Sequence, residues 1–190
     1  MAGLQVRWTM ITRQALRRVA AVTLTLALSA AALGGCGPSL LDTTDFPITD
    51  GGFGIAEDGK IEDNTDNRAI LSTVLAYRNA IVARDPAMLR QFVASRYYED
   101  ASTSDTQDDD YGNEKLEDIF SDLTTIIQEV RYNMKIFRIV REASVAHVDY
   151  EHISSFRLRI DGNDRWESIR DVNRLTLVQE GDQWKIAGGL

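Results

Sequence analysis

Residues 145–180 read VAHVDYEHISSFRLRI, then DGND, then RWESIRDVNRLTLVQE, and the fold turns on how this stretch divides. In the first part Ala146, Val148, Tyr150, His152, Ser154, Phe156, Leu158 and Ile160 fall on one face. His147, Asp149, Glu151, Arg157 and Arg159 fall on the other. That period of two is the signature of a half-buried strand. Asp161-Gly162-Asn163-Asp164 supplies a hairpin turn. Arg165–Glu180 then returns as another long strand, with Ile169, Asp171, Asn173, Leu175 and Leu177 on one face. Upstream, Arg131–Val140 reads as a strand joined through a turn at 141–144. Downstream, Gly181-Asp182 turns into a short strand over Gln183–Ala187. Strands this long exceed the usual five or six residues, roughly, of an ordinary sheet. They predict a strongly bent antiparallel sheet.

The residues before this sheet are helical. Ile70, Val74, Tyr77 and Ile81, flanked by Leu71, Leu75 and Val82, recur at helical spacing from Asn64 onward. Asp85-Pro86 ends that helix and starts a second, Asp capping it and Pro occupying its first turn, where a missing N–H is no loss. Met88, Leu89, Phe92 and Val93 are its expected buried face. Tyr97-Tyr98-Glu99-Asp100 reads as a short strand and Ser102 to Asp110 as an acidic loop. Asn113 is the expected cap of a third helix with Leu116, Ile119, Phe120, Leu123, Ile126 and Ile127 inward. The chain thus reads as α+β, three helices packed on one bent sheet, over residues 63–190.

Residues 1–35 differ in kind. Arg7, Arg13, Arg17 and Arg18 precede a charge-free apolar run, Val19–Leu33, the layout of an export signal. The run is short of the about 20 residues a spanning helix needs. Leu33-Gly34-Gly35-Cys36 resembles the bacterial lipobox, which implies cleavage before Cys36 and a diacylglycerol on its sulfur. Several acyl chains on one residue give stable anchoring. Gly37 stands where an Asp would signal inner-membrane retention, which points to the outer membrane, facing the periplasm. An uncleaved anchor and a soluble secreted form are the alternatives. Residues 36–62 read as a flexible linker, interrupted by Pro38, Pro47, Gly51, Gly52, Gly54 and Gly59. As a coil it would hold its ends roughly 30 Å apart, although Leu40, Leu41, Phe46, Ile48, Phe53 and Ile55 are more apolar than a solvated tether requires.

Composition excludes several functions. The 21 basic and 29 acidic residues become 17 and 29 once the four arginines of residues 1–35 are removed, a net charge of −12. That disfavours nucleic acid as a partner, because such binding rests on neutralising phosphates. It equally disfavours lying flat on an anionic membrane. Cys36 is the sole cysteine, so neither an intramolecular disulfide nor a thiolate metal site is available. No cofactor motif is present. His147 and His152, five positions apart on a strand, point to opposite faces, and Asp105, Asp108, Asp109 and Asp110 lack EF-hand spacing; no metal site is expected.

The element order, with Tyr77 eight residues before Asp85, Leu175-Thr176-Leu177, and Gly181 to Ile186, resembles the nuclear-transport-factor-2-like (NTF2-like) superfamily. That resemblance implies a cone-shaped α+β fold, shared by ketosteroid isomerase, scytalone dehydratase, polyketide cyclases and non-catalytic binders. It also implies that inward polar residues mark any site: Tyr77, Tyr150, His152, Ser154, Asp171 and Asn173 are the pocket candidates. Ketosteroid isomerase stabilises an oxyanion with a Tyr and a protonated Asp, a second carboxylate acting as base. Tyr77 matches the Tyr position, Asn173 replaces the acid, and the base position falls near Glu99-Asp100-Ala101. His152 with Asp171 across adjacent strands is a second possible acid–base pair. Hydrogen-bonded core residues are the competing reading for all of these. The expectation drawn is a non-catalytic, membrane-tethered domain that binds a small apolar ligand or an envelope protein, with self-pairing through the sheet face. The alternative is an isomerase- or dehydratase-type pocket enzyme.

Overall fold

The computed structural model describes residues 38–41, 52–99 and 110–190. Cys36, Phe46, Ile48 and the acidic stretch 102–109 lie outside these residues.

Three short strands come first: β1 Leu40–Leu41, β2 Phe53–Ile55 and β3 Ile61–Glu62. In the described parts of 36–62, residues 38–41 and 52–62, they stand where a flexible linker was expected. Leu41, Phe53, Ile55 and Ile61 are each no more than 3% exposed, and all belong to the main core. β1 pairs antiparallel with β3, and β2 adds to the main sheet as a parallel strand. Gly52 makes that addition possible. It adopts a φ of +72°, and a Cβ there would collide with the Asn133 side chain.

Helix α1, Thr65–Ala83, begins where Asn64 Oδ1 accepts the Asn67 N–H at 2.9 Å. Its face of Ile70, Leu71, Val74, Tyr77, Ala80 and Ile81 is buried as the spacing predicts. Arg84, left-handed at φ 55°, ends it. Helix α2, Pro86–Phe92, has Asp85 as its cap, accepting the Met88 N–H at 2.9 Å. Only Leu89 of this seven-residue helix is fully buried, and Met88 is 43% exposed, because a helix of about two turns offers the core little of its surface. Strands β4 (Tyr98–Glu99) and β5 (Tyr111–Gly112) pair antiparallel. Helix α3 covers Asn113–Thr125. Gly112, not Asn113, is its cap residue; the Asn113 amide instead donates to the carbonyls of Ala94 and Ser95, tying α3 to the end of α2. Ile119 is exposed, and Ile127 leaves the helix to begin the next strand.

The main sheet runs β2–β6–β7–β8–β9, with β6 Ile127–Glu142, β7 Val145–Ile160, β8 Asn163–Glu180 and β9 Gln183–Gly188. Apart from β2 its pairings are antiparallel. The strands are longer than the sequence suggests at both ends of β6. The β7–β8 hairpin closes on Asp161-Gly162, both at positive φ, as a tight two-residue turn requires. Bends come from the extra residues Gln128 and Phe137 in β6 and Ala187 in β9, since a bulge increases local twist. Burial alternates along β7 as expected: Ala146, Val148, Tyr150, His152, Ser154 and Leu158 face inward. The helices cover this inner face, giving the bent α+β cone.

Candidate functional site

The cone is unevenly filled. At the β9 end Leu175, Leu177 and Ile186 are wholly buried, as are Met134 and Ile136 on β6. Towards the β7–β8 hairpin the inner face thins out, and Phe156, Ile169, Asp171 and Asn173 are only half-buried. The polar residues collect between these two regions.

His152 is at their centre, 5% exposed. Its ring stacks on Tyr132, centroids 5.2 Å apart at 10°, and lies 5.9 Å from the Tyr150 ring. The Asn173 amide nitrogen stands 3.4 Å from His152 Nε2. With that amide donating, Nε2 is the acceptor and the ring proton sits on Nδ1. Nδ1 is buried and has no hydrogen-bond partner. Burial lowers the His152 pKa, opposed by the charges of Asp171 and Glu151, so the imidazole is held neutral. Burial raises the Tyr150 hydroxyl to about 12, with hydrogen bonding to Tyr132 and Asn173 holding it from going higher. Tyr132 is pushed well up by burial, with Tyr150 and Tyr77 adding to it. Below the cluster Arg78, itself 6% exposed, donates from Nε to the Tyr132 carbonyl at 2.7 Å and fixes that strand against α1.

Tyr150, His152 and Asn173 are therefore brought together, with Ser154 buried on the same face opposite Tyr132. Asp171 lies directly opposite His152 in register, but its Oδ1 accepts the Val172 N–H at 2.8 Å. It acts on His152 through its charge and not through a hydrogen bond. Tyr77 is buried on α1, near enough to Tyr132 and Tyr150 for the charge of one hydroxyl to act on another. Its hydroxyl pKa is raised well above normal by burial, then by Tyr150, Tyr111 and Glu99, and no hydrogen bond joins it to Asn173. Tyr132 was not among the residues singled out from the sequence. It shares a face with Val130, Met134 and Ile136, and the same alternation that exposed His152 identifies it.

A second polar cluster surrounds Glu99. Its Oε2 accepts from the Tyr97 hydroxyl at 2.8 Å and from the backbone N–H groups of Gly189 and Leu190 at 2.6 and 3.2 Å. This carboxylate is engaged in holding the 188–190 segment against β4. On the outer sheet face a shallow groove of about 730 Å³ is lined by Lys60, Phe137, Arg138, Asp149, Val172 and Arg174, among others. Asp149 lies between Arg174 (2.6 Å) and Arg138 (2.7 Å), which hold its carboxyl below the usual range. His147 faces outward, 3.2 Å from Thr176 Oγ1, away from His152. Among the described residues no three His, Cys, Asp or Glu side chains group as metal ligands. No helix among them is long and apolar enough to cross a membrane.

No protein-family model and no curated protein matches the chain. Solved structures do match it. One is a candidate dehydratase of the NTF2-like family from Streptomyces avermitilis, at 11% identity and a TM-score of 0.54, covering 67% of this chain and 95% of that one. A ketosteroid isomerase-like protein from Erwinia carotovora atroseptica is 15% identical with a TM-score of 0.52 and the same two coverages. A type 2 hexachlorocyclohexane dehydrochlorinase is 14% identical with a TM-score of 0.53, covering 65% and 82%. At such identities the likeness establishes the fold, an NTF2-like cone, and leaves chemistry to the site.

Proposed function

We propose that this chain is an envelope lipoprotein, exported and lipidated at Cys36, whose cone binds a small, mainly apolar ligand carrying one polar group, without catalysis. The observation that carries the binding reading is the buried, unpartnered Nδ1 of His152, on a ring that packs against both Tyr132 and Tyr150. A buried polar atom without a partner is costly, and a ligand carbonyl or hydroxyl reaching it would remove that cost. The aromatic walls suit an apolar body with a single polar contact. The other polar groups are already committed: Asn173 to His152, Asp171 to the Val172 amide, Glu99 to the 189–190 backbone.

The enzymatic alternative rests on the His152–Asp171 register pair. It requires Asp171 to leave the Val172 amide and orient the imidazole, as a general base needs.

A thermal-shift screen of small apolar carbonyl and hydroxyl compounds tests the binding reading. Compounds that raise the melting temperature should lose that effect in His152→Phe, which keeps the ring stack and removes Nδ1. Binding unchanged in that variant would place the ligand elsewhere, and turnover of a hit would favour the enzyme. For the anchor, Cys36→Ser should move the protein from the membrane to the soluble fraction while leaving the domain folded. Retention in membranes at wild-type levels would count against lipidation.

A further inference from the structure

The two edges of the main sheet are treated differently. On the β6 side the open backbone is covered: Arg84 Nη1 donates to the Ile127 carbonyl, Arg78 Nε to the Tyr132 carbonyl, and β2 pairs Met134 to Ile136. On the other side β9 pairs with β8 only from Thr176 to Glu180. The Gly189 backbone lies against Arg174 and Leu175, and among the described residues no strand pairs with the free side of β8 from Asn163 to Asn173, about 35 Å of extended chain. This stretch has no proline, and its register with β7 is unbroken, so no bulge turns it away. Proteins usually shorten, bulge or cover such an edge, because it templates pairing with another chain.

We propose that this edge pairs antiparallel with its own copy, about a two-fold axis through Ser168. The N–H of Val172 bonds its neighbour's carboxylate, not a strand; it marks the even-numbered residues as those whose backbone groups face the open side. Placing Ser168 on the axis sets even residues against even ones, as an antiparallel ladder needs. It also sets Arg165 opposite the partner's Asp171 on the inner face and Trp166 opposite the partner's Arg170 on the outer face. Glu167 then meets the partner's Ile169, and no like charges are opposed. Moving the axis to Ile169 sets Glu167 against the partner's Asp171, a destabilising like-charge pair repeated by symmetry. Trp166 is 43% exposed and already carries Arg131 over its ring at 4.5 Å, so a second guanidinium would cover what remains. The outer face beside it is closed by ion pairs, Arg170 with Glu151 and Arg157 with Asp164 among them. The edge is therefore a better site of self-association than that face.

The test uses the full chain carrying Cys36→Ser. Sedimentation should show twice the monomer mass. Two opposite-charge pairs are lost in Arg165→Glu, which should weaken association by about tenfold, and Arg165→Glu with Asp171→Arg should recover most of it. Facing residues of such a pair have Cα atoms about 5.5 Å apart, within disulfide reach. Ser168→Cys should accordingly form a covalent dimer on mild oxidation, and Val172→Cys, displaced along the strand, should not. A monomer at all concentrations overturns the proposal. So does a dimer that is indifferent to Arg165→Glu or that cross-links no better at 168 than at 172.

Discussion

His152 is held neutral by burial, and this makes stability depend on pH with a definite sign. Its pKa in the fold lies below the ordinary value of 6.5, so on acidification the unfolded chain takes up the proton first. The contribution is complete above about pH 6.5 and is lost as pH falls toward the folded value. The melting temperature should thus fall more steeply between about pH 7.5 and 5.5 in the wild type than in His152→Phe. Parallel slopes would show that His152 is protonated as easily in the fold as outside it. Asp63 and Asp149, whose carboxyls are held below 3.8 by arginine partners, lose their contributions only at lower pH and do not blur the window. The position of His152 was legible from period-2 alternation, and so was its opposition to Asp171. The Asp171 hydrogen bond was not, because a carboxylate on a strand edge can reach the next backbone amide as readily as a cross-strand ring.

At the scale of elements, β2 is the piece that sequence reading passed over. Phe53–Ile55 is three residues long, lies beside Gly51-Gly52 and pairs in parallel. It offers no period to detect and no hairpin to announce it. Its apolar side chains were the only signal. Phe53 is 1% exposed, and Phe53→Ala should cost about 3–5 kcal/mol, measurable by denaturant titration. A cost under about 1 kcal/mol would mean that β2 is not part of the cooperative core. The long strands were legible because each has one wet and one dry face. The bulges at Gln128 and Phe137 were not, since an extra residue shifts pairing without changing composition. α2 shows the converse: its boundaries were announced by Asp85-Pro86, yet its apolar pattern overstated how much of one short helix the core can take.

For the whole molecule, element order was enough to read the cone, because a few local patterns bracket helices and sheet in a single sequence of layers. The unpartnered nitrogen on which the proposed ligand rests was not readable, because it depends on how the His152 ring sits among the aromatic rings around it. Under the proposed lipidation of Cys36, the distance of the domain from the membrane would be set by β1. Leu41 is 2% exposed where β1 meets β3, so the chain is already fixed to the domain at Leu40, four residues beyond Cys36. Four residues fully extended reach about 14 Å. With a lipid on Cys36, the domain would therefore be not a float on a long line but a bead on a short leash. A domain tethered in the proposed way would sit close to the headgroups, with the β1–β3 corner downward, and its reach to other molecules would be confined to a thin layer over the bilayer.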